Sequence, residues 1–103
     1  MPKKVTTSAQ KTVPLGKAEI LERLTAAMSE REGLRFAPTG NPDIVRASAA
    51  DGTHVSVAAF VKESGQGLAM IDHEGIDEDQ RARWQQHWRR VIDAVFADPA
   101  EPR

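Results

Sequence analysis

An amphipathic segment near the end of the sequence constrains the fold most. Its apolar residues recur at three- and four-residue spacing: Trp84, Trp88, Val91, Ile92, Val95 and Phe96. This spacing places all six on one face of a helix, with the arginines mainly on the other. An extended segment at residues 71–73 comes shortly before it. We therefore predict a strand that leads almost directly into a long closing helix, whose apolar face packs on a sheet.

Acidic residues mark the start of this helix. Asp77 can cap the N-terminus, and Gln80, three residues on, is the expected capping-box partner. Glu78 and Asp79 add negative charge at the positive end of the helix dipole. We expect His73 to lie at the end of the preceding strand and to form hydrogen bonds near this cap.

The first third of the chain predicts a strand and a helix. Residues 4–13 are rich in Val and Thr and stop at Pro14, as a strand does before a turn. A helix follows, and Gly33 is placed to end it in a left-handed cap. Residues 34–36 form a predicted short strand, and residues 38–42 a loop.

Two hairpins fill the middle of the chain. Asp51-Gly52 predicts a two-residue turn between strands at residues 43–50 and 53–62. In the second hairpin, a loop at residues 64–66 lays one set of side chains on a common face: Val55, Val57, Ala59, Val61, Ala69, Ile71 and His73. We expect Phe60 opposite Met70 on the other face, with Leu68 nearby. The predicted class is thus α+β, with the order βαββββα, in one domain over residues 4–97 with flexible termini at 1–3 and 98–103.

Composition excludes several classes of function. Fourteen basic against fifteen acidic residues give a net charge of −1, so nucleic acid is not an expected partner. The chain has no cysteine and no apolar run that could span a membrane, which predicts a soluble cytoplasmic protein. His54, His73 and His87 lack metal-ligand spacing, and no motif indicates a cofactor.

The order of elements and several short motifs resemble the helix-grip superfamily, also called START-like or SRPBCC. The resemblance is greatest to the branch of heat-shock ATPase activator homologues (AHSA-like). The matching motifs are residues 9–13 (Ala-Gln-Lys-Thr-Val), residues 51–57 (an Asp-Gly turn before Val-x-Val), residues 71–74 (a strand ending in His-Glu) and residues 88–90 (Trp-Arg-Arg). The resemblance implies a curved sheet wrapped around the last helix, and a ligand-binding or co-chaperone-like role.

The chain departs from this family in length. Members usually carry an extra strand or two between the first helix and the middle hairpins, whereas only residues 32–43 are available here. They also often carry a tryptophan just after the first helix, and Leu34 and Phe36 are the nearest apolar residues. We therefore expect a shortened member with a small cavity or none.

Two hypotheses for function follow, with catalysis a weaker third. The first is non-catalytic binding of a lipophilic small molecule between the sheet and the closing helix. Its predicted site comprises Val55, Val57, Ala59, Ala69, Ile71, His73, Trp84, Trp88 and Ile92. The alternative is a protein-interaction module, a homodimer or a co-chaperone-like partner-binding domain, that uses the exposed sheet face with Phe60, Leu68 and Met70.

Overall fold

A computed structural model describes residues 3–97. Its elements are β1 (Lys4–Val13), α1 (Lys17–Glu32), β2 (Ala37–Pro38), β3 (Ile44–Ser48), β4 (His54–Val61), β5 (Gly67–Asp77), a 3₁₀ turn (Glu78–Gln80) and α2 (Arg81–Val95). The predicted α+β class and the order βαββββα are confirmed. Apart from Lys3, the termini predicted to be flexible lie outside the described residues.

The five strands form one antiparallel sheet in the order β1-β5-β4-β3-β2. In the central hairpin, Val55 pairs with His73 and Val57 with Ile71, so these side chains share one face of the sheet, as the pattern predicts. The predicted register of the two strands was wrong by two residues. Phe60 pairs with Leu68, because the same register that joins Val57 to Ile71 sets Met70 opposite Ala58.

Both hairpin turns are longer than predicted. In the first, the Gly52 amide donates to the carbonyl of Ala49 (3.0 Å), so Asp51-Gly52 forms the second half of a four-residue turn. Gly52 has a φ of 88°, which suits the position after such a turn. The second turn runs over residues 62–66, and Gly65 has the expected positive φ of 89°.

Helix α1 ends as predicted, but the strand after it is displaced. Gly33 adopts a left-handed conformation and donates its amide to Ser29 (3.0 Å). The predicted strand at residues 34–36 was wrong, because the pairing with β3 begins only at Ala37 and ends at Pro38. Proline has no amide hydrogen to continue the pairing, so β2 is a short edge strand.

Both helices cover the same face of the sheet and share one core with it. The fully or almost fully buried residues of this core are Ala9, Val13, Ile20, Leu24, Met28, Val55, Val57, Ala59, Ala69, Ile71, Trp88, Val91, Ile92 and Phe96. Gly67 is essential to this packing, because a β-carbon there would lie 2.3 Å from the Leu15 carbonyl oxygen and 2.5 Å from Ile20. The other sheet face has no helix on it among the described residues.

The transition from β5 to α2 differs from the prediction. His73 is not at the strand end, since β5 continues to Asp77 through a bulge at Gly75, which has a φ of 82°. The predicted capping box is also wrong. The Asp77 carboxylate accepts a hydrogen bond from Lys4 and makes none with the helix, and α2 begins only after the 3₁₀ turn at residues 78–80.

Candidate functional site

A small cavity lies where the end of α1, the β3–β4 turn, the middle of β5 and the first half of α2 meet. Its volume is about 120 Å³, and it is half open to solvent. Nine residues line it: Glu32, Leu34, Ala49, Asp51, Thr53, Val55, His73, Trp84 and Trp88. We call it the Trp–His cavity. It combines both tryptophans with a buried histidine.

A chain of four hydrogen-bonded side chains forms one wall of the Trp–His cavity. The indole Nε1–H of Trp88 donates to Nδ1 of His73 (3.1 Å), and Nε2 of His73 lies 3.0 Å from Oγ1 of Thr53. Oγ1 of Thr53 then donates to the Asp51 carboxylate (2.6 Å), which also accepts the Thr53 amide (3.0 Å). Because an indole can only donate, Nδ1 of His73 is the acceptor and its proton is on Nε2.

Burial of His73 and hydrogen bonds to Asp51 fix the protonation of this chain. His73 is 2% exposed, and burial lowers the pKa of its imidazole, an effect that the nearby Asp51 carboxylate partly opposes and His87 reinforces. The hydrogen bonds from the Thr53 hydroxyl and amide lower the pKa of the Asp51 carboxyl. The wall therefore holds a neutral histidine and an ionised aspartate at neutral pH.

Two further aromatic rings, Trp84 and His87, pack against the rings of His73 and Trp88 in the chain. Trp84 and Trp88 stack with their ring centres 5.8 Å apart and their planes 18° apart. His73 meets Trp84 edge-on at 4.7 Å, and His87 meets Trp88 at 4.7 Å. His87 also lies 3.1 Å from the Glu32 carboxylate, so it connects the two helices beside the cavity. Trp88 is buried and Trp84 is half-buried, which leaves Trp84 the more accessible of the two.

The structure brings only part of the predicted ligand site together around a cavity. Val55, His73, Trp84 and Trp88 line the Trp–His cavity. The other five predicted residues, Val57, Ala59, Ala69, Ile71 and Ile92, are fully buried in the packed core and do not line it. Asp72 and Glu74 point away from His73, as strand alternation predicts, since they contact Ser8 and Arg46.

The predicted interface residues lie on the sheet face opposite the helices. Phe60 is 37% exposed and pairs with Leu68, while Leu68 and Met70 are half-buried. The apolar exposure of this face is therefore greatest at Phe60, beside the β4–β5 turn. Val61, the next residue, is 57% exposed, but strand alternation places it on the other face, with Val55 and Val57.

Sequence reasoning missed the polar half of the Trp–His cavity. The sequence pattern assigns Asp51 only to a turn and Thr53 only to a strand. The available signal is their spacing, since an Asp two residues before a Thr can accept the amide hydrogen of that Thr. The place of Thr53 near the histidine follows only from the observed pairing of Val55 with His73. Glu32, Leu34 and Ala49 carry no comparable signal, because their positions depend on how α1 packs against the β3–β4 turn.

Comparison with solved structures identifies the architecture. The chain is similar to CalU16 from Micromonospora echinospora, with a TM-score of 0.60 and 11% sequence identity, over 99% of this chain and 86% of that one. The fold is helix-grip-like. At this identity the likeness shows the fold alone. No protein-family model matches the sequence, and no curated protein matches it. Among residues 3–97, no helix is long and apolar enough to cross a membrane.

Proposed function

We propose that this chain binds a small, largely apolar molecule in the Trp–His cavity, without catalysing its conversion. The observation that carries the proposal is an opening in an otherwise closed core, bounded by Trp84 and Trp88 on one side and by an ordered polar wall on the other. Apolar surface with a few placed polar groups is typical of small-molecule sites. The first half of α2 supplies the tryptophans, and β5 with the β3–β4 turn supplies the polar wall.

The volume of the cavity limits the size of the ligand. Pockets for drug-sized ligands measure about 300–1,000 Å³, whereas an apolar cavity of about 150 Å³ holds benzene. The Trp–His cavity, at about 120 Å³, accommodates a molecule of four or five carbons, or one end of a longer molecule whose remainder lies outside. The small volume agrees with the short connection between α1 and β3. This connection, residues 33–43, contributes only the two-residue strand β2 to the sheet.

The hydrogen bonds of His73 favour binding over catalysis. A general base needs a free nitrogen within reach of a substrate proton. Both nitrogens of His73 are engaged, Nδ1 by Trp88 and Nε2 by Thr53. Its use as a base would require the loss of the buried bond to Trp88. We therefore assign His73 to the support of the cavity wall.

We also propose the finer relationship that the short motifs indicate, membership of the AHSA-like branch of the START-like superfamily and a cytoplasmic location. The motif at residues 9–13 lies in the second half of β1, and the Asp-Gly turn leads into β4. His73, the first residue of the His-Glu pair, lies in the wall of the Trp–His cavity. These positions support the proposal, since each motif lies at a place that shapes the sheet or the cavity.

The binding proposal is tested by filling the cavity. Ala49 lines it, whereas Ala50, the next residue of the same turn, is exposed and does not. We expect isobutanol and related small molecules to change the tryptophan fluorescence of the wild-type protein saturably, and Ala49→Leu to abolish this response. Ala50→Leu is the matched control and should respond as the wild type does. A flat response of the wild type to the whole panel contradicts the proposal.

A second candidate function, a homodimer or partner-binding module, is favoured by one separate observation. The sheet face opposite the helices carries Phe60 and Leu68 side by side at the β4–β5 turn, and Phe60 is exposed there. Sedimentation velocity across a wide concentration range tests the dimer. Self-association that is lost in Phe60→Lys and kept in the outward-facing control Ser56→Lys supports this candidate, and a monomer at every concentration contradicts the dimer.

A further inference from the structure

From the hydrogen-bond capacity of the cavity wall, we infer that the Trp–His cavity selects a small organic cation, an alkylammonium group with a short apolar body. The inference rests on the proposed function, since it names the class of ligand that the cavity takes. It follows from which polar groups of the wall are already engaged and which remain available. Anionic and purely acceptor-bearing molecules are the classes that it excludes.

The donors of the polar wall are committed to the protein. The indole of Trp88 donates to His73, His73 donates to Thr53, and the hydroxyl and amide of Thr53 donate to Asp51. The indole of Trp84 makes no hydrogen bond to residues 3–97, and it is the uncommitted side-chain donor of the lining. A ligand that can only accept hydrogen bonds therefore has few free side-chain donors to bind in this wall.

Acceptor capacity, in contrast, remains available. The hydrogen bonds of Asp51 use its Oδ1 atom, and the contact of Glu32 with His87 uses its Oε2 atom, so each carboxylate has a second oxygen without a partner among residues 3–97. A carboxylate oxygen accepts hydrogen bonds and favours a charged donor. A ligand that brings donors can thus bind both edges of the opening.

The formal charge of the lining has one sign. Glu32 and Asp51 are its charged residues, and no Lys or Arg lines the cavity. The hydrogen bonds from Thr53 lower the pKa of Asp51, which keeps it ionised, and the buried His73 is neutral. Lys4 lines an adjacent notch that shares Asp51 and Thr53, but its ammonium is paired with Asp77. The wall therefore attracts a cation, since no Lys or Arg of the lining pairs with its carboxylates.

The aromatic part of the lining fits the same ligand. Tryptophan faces attract cations within about 6 Å of the ring centre, and apolar carbons pack against them equally well. Because the cavity is half open, the ammonium group can remain at the mouth beside the carboxylates while the alkyl body enters between Trp84, Leu34 and Val55. The ligand then need not bury its charge fully, which avoids most of the desolvation cost.

The test uses three molecules with the same branched alkyl body: isobutylammonium, isobutanol and isobutyrate. We expect tryptophan fluorescence titrations to rank their affinities in that order, with isobutylammonium binding about five-fold more tightly than isobutanol, since partial exposure weakens the charge interaction. Asp51→Asn keeps the acceptor for Thr53 and removes the charge, and Glu32→Gln does the same at the other edge. Because the two charges together account for the five-fold preference, each variant should weaken isobutylammonium about two-fold more than it weakens isobutanol.

Glu30→Gln is the matched control, because it removes one negative charge from the same helix at an exposed residue that does not line the cavity. It should bind all three molecules as the wild type does. Equal affinities, or a preference for isobutyrate, overturn the inference and leave the proposed function intact. So does a preference for isobutylammonium that is undiminished in both variants. Failure of all three molecules to bind overturns the proposed function together with the inference.

Discussion

The two halves of helix α2 lie against the same sheet but meet different surroundings. The second half carries Val91, Ile92 and Phe96, which are buried in the core with Ala9, Val13 and Ala69. The first half carries Trp84 and Trp88, which face His73, the Thr53 hydroxyl and an open cavity. One apolar helix face therefore serves two purposes. Where the sheet presents small apolar side chains the contact is closed, and where it presents a histidine the contact stays partly open.

This difference explains how so short a chain can keep a cavity. The closed half provides the burial that holds α2 on the sheet, since side chains the size of Ile92 each contribute about 1.5–3 kcal/mol when fully buried. The open half can then leave space between large rings. Trp88 lies between the two halves. Its hydrogen bond to His73 joins α2 to β5 and so fixes the position of the indole ring.

The largest effect is expected in the closed half. Ile92→Ala removes a fully buried side chain from a packed region, which should lower the free energy of unfolding by about 3 kcal/mol. Urea denaturation measures this. Gln85→Ala, at an exposed position of the same helix, is the control and should change stability by less than about 0.5 kcal/mol. A loss for Ile92→Ala below about 1 kcal/mol would mean that this half is not tightly packed.

The next effect tests the boundary between the halves. Trp88→Phe removes the indole donor and leaves Nδ1 of His73 buried without a partner, so we expect a loss of about 2 kcal/mol. Trp84→Phe makes the same substitution at a ring whose indole has no hydrogen-bond partner in residues 3–97, and it should cost clearly less. Equal losses in the two variants would show that the bond to His73 contributes nothing.

The third effect is a pH dependence confined to the open half. The folded-state pKa of His73 is lowered below 6.5, so the unfolded chain takes up this proton first as the pH falls. Stability should therefore be full above pH 6.5 and decline as the pH decreases through that value towards the folded-state pKa. Protonation also turns Nδ1 into a donor, which breaks the bond from Trp88.

Free energies of unfolding at neutral pH and one pH unit below 6.5 check this expectation. His73→Gln should be less stable overall but should lose the decline, because glutamine does not titrate. His54→Gln, on the opposite sheet face, should retain it. A decline that is the same in all three proteins would assign the pH dependence to another group.

The smallest effect concerns the edge of the cavity. Glu32 contacts His87 at 3.1 Å, and both side chains are partly exposed, so Glu32→Gln should cost no more than about 0.5 kcal/mol. Thermal or urea unfolding beside Glu30→Gln measures it. A loss several times larger would show that the link between the helices supports the fold itself and does not only border the cavity.

The sequence predicts the closed half of α2 well and the open half poorly, for a physical reason. Apolar spacing alone places Ile92 on the helix face that packs on the sheet, and Val57 and Ile71 on a common sheet face, because hydrophobic burial depends on periodicity. The bonds of His73 depend instead on Thr53, which lies two residue pairs away beside a turn, a contact that a strand pattern does not contain. The predicted capping box was wrong for a similar reason. Lys4, on the distant strand β1, binds the Asp77 carboxylate, which makes no hydrogen bond with the helix.

The central claim is that the opening beside Trp84 and Trp88 admits a small ligand. The chain has two tryptophans, so its ¹H–¹⁵N spectrum carries two indole signals, which Trp84→Phe assigns. On titration with isobutylammonium, we predict saturable shifts of both signals in the wild type and in Ala50→Leu, and none in Ala49→Leu. Indole signals that do not move in the wild type, or that move equally in Ala49→Leu, would contradict the claim.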